Sequence, residues 1–171
     1  LHTHRASGLE HGRATRMTIV LHDITSRRLA EDRARAATRL LAEAVENLEE
    51  SFSLCDPDGR YVVTNRRFRE YNAEIADHVR IGCRYEDAVR AAVARGLYLD
   101  AVGREDAWLE ERFARRRDPR SRPVEQRRKG GMWVLQRETR LADGSIITLG
   151  LDITEAKRAE AQREAALSAL R

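Results

Sequence analysis

Lysine is nearly missing from this chain. Of its 32 basic residues only Lys129 and Lys157 are lysines, so the other 30 are arginines. Cysteine is scarce as well. Cys55 and Cys83 are too few for a disulfide framework, or for a four-ligand zinc site on their own. Apolar runs stop after a handful of residues, which excludes a membrane-spanning helix. No signal-peptide pattern follows Leu1 and no methionine opens the chain, so we expect a fragment of a longer protein. What is abundant is charge. Charged residues make up 35% of the 171 positions, against about 25% in an ordinary domain. The signs nearly cancel, leaving a formal net charge of +4. Hydrophobic content of 42% is too high for a disordered chain and sufficient for one core. The length suits one domain of about 100–150 residues with extensions.

The arginine excess does not read as a nucleic-acid surface. Arginines alternate with Glu and Asp over 27–39, 66–70 and 104–117. Mixed signs at helical spacing make a solvated, ion-paired face. The densest clusters, Arg115-Arg116-Arg117 and Arg127-Arg128-Lys129, lack the interleaved aromatics on which bases stack. We therefore expect no nucleic-acid partner and no membrane segment.

The chain repeats one design. Met17–Thr25 is a short apolar stretch ending in Asp23-Ile24-Thr25. Ser145–Thr154 ends the same way, in Asp152-Ile153-Thr154. A charged helical segment follows each copy, with Ala30-Glu31 and Ala159-Glu160 at the same offset. Thr25 and Thr154 are good helix N-caps, since a hydroxyl can accept from the orphan N–H groups of the first turn. Asp23 and Asp152 put negative charge near the positive end of the helix dipole. These residues are either simple helix starts or points where a strand hands a movement to a helix. Residues 1–25 fit a β-hairpin, read as the tail of a preceding copy of the module.

From Ser26 to Glu50 there is no Gly or Pro, which predicts one long helix. Leu41, Val45, Leu48 and Phe52 fall at three- and four-residue spacing and form a candidate coiled-coil seam. Strands are expected at Ser51–Cys55 and Arg60–Thr64, joined by the turn Asp56-Pro57-Asp58-Gly59. Asn65 then opens a short helix with Phe68 and Tyr71. Helices follow at Arg84–Arg95 and Asp106–Arg117, then strands at Val124–Arg128, Met132–Arg140 and Ser145–Leu151. A last helix begins at Glu155 and runs toward Arg171.

This order, with the Asp-Pro-Asp-Gly turn, Asn65 and the closing Asp152-Ile153-Thr154, resembles the PAS domain family over roughly residues 40–154. The variety with an added tryptophan-bearing helix is the best match, through Trp108-Leu109-Glu110-Glu111-Arg112. The resemblance implies an α+β fold, a five-stranded antiparallel sheet with helices on one face and signalling helices at both ends. The domain would occupy residues 51–154, with linker helix 26–50 before it and the output helix 155–171 after it. It also implies a cytoplasmic sensory or relay module that works as a homodimer. Such modules drive an effector in the same polypeptide, a histidine kinase first and a cyclic-di-GMP enzyme next.

Signal transfer is expected at Asp152 and Thr154, with Asp23 and Thr25 as their counterparts. Phe68, Tyr85, Trp108, Trp133 and Arg137 are the candidate lining of a small-molecule pocket, or else ordinary core with one surface arginine. No cofactor is expected. The alternatives are flavin, haem or an inert dimerisation scaffold. Cys83-Arg84-Tyr85 is similar to the flavin-photoreceptor motif Asn-Cys-Arg-Phe-Leu-Gln, but Gly82 and Glu86-Asp87 replace its polar grip on the ring. Haem needs an apolar pocket around an axial histidine, and His78 lies in a polar stretch. No metal site is expected from His2, His4, His11 or His22. Nor is there a nucleophile–base pair or phosphate loop, so the fragment reads as non-enzymatic.

Overall fold

A computed structural model describes residues 25–118 and 120–170. The expected hairpin, with Asp23, lies outside the described residues. The chain divides into two compact units, Leu1–Glu43 and Ala44–Arg171. In the first, the described residues are one helix, α1, which runs on to Glu46 (Thr25–Glu46). Its flanks are exposed, Leu40 and Leu41 included, and Arg27 pairs with Glu31 one turn on.

In the second unit, β1 (Ser51–Cys55) and β2 (Tyr61–Thr64) form a hairpin around the Asp56-Pro57-Asp58-Gly59 turn. Gly59 takes φ +77°, the left-handed value that a side chain resists. After α2 (Arg66–Tyr71) and a 3-10 segment (Ala73–His78) come α3 (Tyr85–Ala94) and α4 (Glu105–Arg117). Three strands close the domain: β3 (Val124–Arg128), β4 (Met132–Arg140) and β5 (Ile146–Asp152). They form one antiparallel sheet of order β2-β1-β5-β4-β3, and α5 (Thr154–Ala169) leaves it directly.

Alternation along the strands sorts the two faces. Ser51, Ser53 and Cys55 of β1 are buried, with Phe52 and Leu54 between them half-buried on the other side. The core is sealed by α2, α3 and α4, through Phe68, Tyr85, Val89, Trp108, Leu109 and Phe113. Tyr98 and Trp108 stack at 4.7 Å between centroids.

The seam expected at Leu41, Val45, Leu48 and Phe52 is not one helical stripe. The helix stops at Glu46, four residues before Glu50, and Phe52 belongs to β1. The cause is Asn65, which is 0% exposed. Its Nδ2 donates to the carbonyls of Val45 (3.2 Å) and Glu50 (2.8 Å), holding the chain in a bend where a helix would continue. Its Oδ1 accepts from Phe52 N and, as the N-cap of α2, from Phe68 N, both at 2.9 Å.

Asn65→Ala would strand buried backbone groups on three elements, at about 1–3 kcal/mol for each group that water cannot reach. We expect a loss of about 3 kcal/mol in chemical denaturation. Asn65→Asp keeps the acceptor but turns charge on two carbonyls, so it should recover little of that loss. A loss under about 1 kcal/mol for Asn65→Ala would mean that the amide is dispensable.

Candidate functional site

Between the inner face of the sheet and the helices lies a small cavity of about 40 Å³. That is room for two or three waters. Short side chains make its floor: Ser51, Ser53, Thr148 and Gly150. Gly150 keeps this floor low, because a Cβ there would stand 3.1 Å from both Ser51 Oγ and Val134 Cγ1. Phe68, Ile75, Tyr85, Val89 and Tyr98 close the space from the helix side.

Two buried arginines, Arg112 and Arg128, also line it, at 5% and 7% exposure. Arg112 Nε donates to Tyr85 Oη at 2.7 Å, and its Nη2 donates to Gln136 Oε1 at 2.8 Å. Gln136 Nε2 continues the chain to Glu138 Oε1, which also accepts from Arg116 Nη1 at 2.7 Å. Arg116 lies 3.6 Å over the Tyr85 ring. Arg128 Nη2 donates to the Tyr71 carbonyl (2.9 Å) and to Asn72 Oδ1 (3.0 Å). Both lining arginines face Tyr98, at 5.8 and 4.8 Å from its centroid. Burial works against the charge of Arg112, but Tyr85, Tyr98 and Glu138 together outweigh it and hold the pKa above the ordinary value. Burial also raises the phenols of Tyr61 and Tyr85.

Of the expected lining, Phe68 and Tyr85 border the cavity. Trp108 is buried but stands behind Tyr98, outside the lining. Trp133 and Arg137 are on the wrong face. They alternate with Val134 and Gln136, which point inward, so both side chains lie on the outer surface of the sheet. Trp133 carries Arg127 and Lys157 over its ring, at 5.9 and 5.4 Å. Neither Cys83 nor His78 reaches the cavity: Cys83 Sγ faces the Asp77 carbonyl at 3.5 Å, and His78 pairs with Asp77. Among the described residues no cluster of His, Cys, Asp or Glu could hold a metal ion.

Arg112, Arg128 and Gln136 were hidden in the sequence by their polarity. Helical spacing was the available signal for Arg112, which falls four residues after Trp108 on the stripe that Leu109 and Phe113 bury. Strand parity was the signal for Gln136, two residues from Val134.

The second feature is the junction of β5 and α5. Thr154 N and Oγ1 both donate to Asp152 Oδ1, at 2.9 and 2.5 Å. Asp152 therefore accepts from the first N–H of α5, while Ile153 stands at the N-cap with no side-chain cap bond, so Thr154 is not the cap expected of it. Thr154 Oγ1 instead accepts from Trp133 N on β4 at 3.0 Å, and Ile153 N donates to the Trp133 carbonyl at 2.9 Å. One turn later Lys157 reaches Glu125 of β3 at 2.7 Å. The start of α5 is thus latched to two strands. The counterpart at Thr25 is described only as the first residue of α1.

A family model described as PAS fold matches residues 45–161, more than half of the chain. The chain belongs to the PAS-fold family. The five-stranded sheet with helices on one face is the architecture that the resemblance implied. The Caulobacter vibrioides "non-motile and phage-resistance protein" is 29% identical over 149 residues, covering 82% of this chain. The chain spans 15% of that relative's length. Among solved structures, the PAS domain of an HTR-like protein from Haloarcula marismortui is 18% identical with a TM-score of 0.46, covering 74% of this chain and 99% of that one. A domain of a sensory box sensor histidine kinase/response regulator from Geobacter sulfurreducens is 19% identical with a TM-score of 0.41, covering 70% and 94%. Among the described residues of this PAS domain no helix is long and apolar enough to cross a membrane.

The latch of the PAS domain can be measured directly. Thr154→Val removes the acceptor of the Trp133 amide and should speed hydrogen exchange there about tenfold, with the β1 amides unchanged. Equal exchange in both proteins would show that the latch carries no local stability. Alkaline stability offers a second test. Burial pushes the Cys55 thiol up from 9.0 to about 11, against the opposing pull of Arg116. The unfolded chain ionises this thiol first, so its contribution is intact below pH 9 and is lost as pH rises from 9 to 11. That is a loss of about 2–3 kcal/mol. Cys55→Ala, compared with its own value at pH 8, should show a correspondingly shallower decline. An unchanged slope would exclude Cys55 as its source.

Proposed function

We propose that this PAS domain is a sensory or relay module of a bacterial-type signalling protein, passing a movement of its sheet into α5. The single observation that supports it is the latch at Asp152, Thr154 and Trp133. A helix whose first turn is bonded to β4 and continuous with β5 cannot keep its direction if those strands shift. A purely structural helix start needs no more than the bond from Thr154 N to Asp152, and the bond to Trp133 is additional.

The reading includes a homodimer and a downstream effector in the same polypeptide, a histidine kinase before a cyclic-di-GMP enzyme. The outer face of the sheet favours association, because Phe52, Leu54, Ile147 and Leu149 are half-buried there and Val62 and Leu151 are exposed. Leu41 is exposed on α1 and remains available for helix pairing. A cytoplasmic setting accords with two cysteines that are both free. In this reading the domain holds no catalytic residue.

The test uses the intact signalling protein. Asp152→Ala and Thr154→Ala should change effector output severalfold, with the circular dichroism of the domain preserved. Normal regulation with a folded domain would falsify the relay.

A further inference from the structure

The layer between helices and sheet holds more positive charge than it neutralises. Arg112 and Arg128 are buried, the side chain of Arg116 is 8% exposed, and the carboxylate that meets any of them is Glu138, which pairs with Arg116. Among the described residues neither Arg112 nor Arg128 has a carboxylate within ion-pair distance. Removing a guanidinium from water costs several kcal/mol unless its charge is compensated. Around Arg112 and Arg128 the compensation comes from neutral acceptors and aromatic faces, with Glu138 acting on Arg112 at longer range and, among the described residues, no ion pair to either. Other polar groups in the same layer are unused. Among the described residues Arg116 Nη2 and both amide atoms of Gln126 are buried with no hydrogen-bond partner. Gln126 is on β3, two residues before Arg128 and on the same face of the strand.

The cavity has a neighbour. A second space of about 10 Å³ shares Arg112 and Gln136 with it and is lined further by Arg115, Ser121, Arg122, Val124 and Glu138. Arg115 and Ser121 are half-exposed and Arg122 is exposed. Three guanidiniums therefore run from the surface to Arg112 against the one carboxylate of Glu138, which Arg116 already pairs, leaving a net positive field that draws anions inward.

We propose that the inner cavity binds a compact carboxylate of two or three carbons, held by Arg112 and Arg128 and admitted past Arg115 and Arg122. This deepens the sensory reading by naming the chemical class of the signal. A carboxylate fits because the planar guanidinium fork matches its two oxygens. The size follows from the cavity, which has no room for a long acyl chain. Bound there, the anion lies on the inner face of β4 and β5, the strands that carry Gln136 and the start of α5. The apolar wall of Phe68, Ile75 and Val89 takes the short carbon end.

The test is binding to the 171-residue chain, by calorimetry and thermal unfolding. The probes are acetate, propionate and pyruvate, with acetamide, nitrate and octanoate for comparison. Saturation by at least one of the three short carboxylates is expected, with a raised midpoint. Acetamide and octanoate should bind at least about tenfold more weakly, since one lacks the charge and the other exceeds the space. Arg112→Gln and Arg128→Gln should each weaken binding by about ten- to a hundredfold, and Arg128→Lys by less than Arg128→Gln. Arg137→Gln, on the outer face, should leave affinity unchanged and serves as the folded control. No binding of any short carboxylate overturns the proposal, as does equal binding of nitrate, which would reduce the site to a general anion trap. Preference for octanoate, or unchanged affinity in folded Arg112→Gln and Arg128→Gln proteins, also overturns it. Binding without any change in effector output leaves the ligand assignment standing and removes the relay. Regulated output without carboxylate binding does the reverse.

Discussion

The side-chain amide of Asn65 bonds the last turn of α1, the entry to β1 and the first turn of α2, and the order of the domain follows from that junction. With no exposed surface, Asn65 cannot exchange these partners for water. Both of its functions are used, acceptor and donor; aspartate offers acceptors alone, and serine has a single donor where Asn65 makes two donations. The bend it holds lets β1 begin within five residues of the end of α1. β1 in turn lies inside the sheet, between the edge strand β2 and the central strand β5. Displacing Asn65 therefore displaces the strand that joins the edge strand β2 to the rest of the sheet.

The interior that this frame encloses is unusually polar for a small domain. Its polar groups are connected as Tyr85, Arg112, Gln136, Glu138 and Arg116, and each link shares a side chain with the next. A connected network specifies one packing more sharply than isolated bonds, since losing any member strands its neighbours. The same connectivity links the cavity to β4. Gln136 and Trp133 are on one strand, one facing the arginines and the other the start of α5. Strand parity thus puts the cavity and the latch on opposite faces of a single element.

Much of the fold was legible because it rests on local chemistry. The Asp56-Pro57-Asp58-Gly59 turn, the Asn65 cap and the bounds of β1, β3 and β4 come from turn residues and period-two patterning, which act over a few positions. The handover at Asp152-Ile153-Thr154 was legible for the same reason, with its repeat as a second cue. Phe68 and Tyr85 could be expected at the cavity because aromatics seek the interior. Trp133 and Arg137 were misplaced by the same rule: a tryptophan was assigned to the inside although its strand parity opposed Val134. The helix end at Glu46 was missed because no Gly or Pro marks it. The signal is Asn65, some twenty residues away.

By itself the sequence determined the elements, their order and the family, because propensity, capping and alternation are read by each segment from its own neighbours. The tertiary structure decided which arginines are interior, beyond the hint that helical spacing gave for Arg112. Arg112 and Arg128 stand in charged runs that look solvated, and they are buried because α4 and β3 bring them against Tyr85, Tyr98 and Asn72. Charge compensation is a property of who meets whom across the fold, and spacing along the chain does not encode it. The surplus of arginine that first marked this chain is thus of two kinds, a solvated majority on helix faces and a buried few that set the character of the cavity.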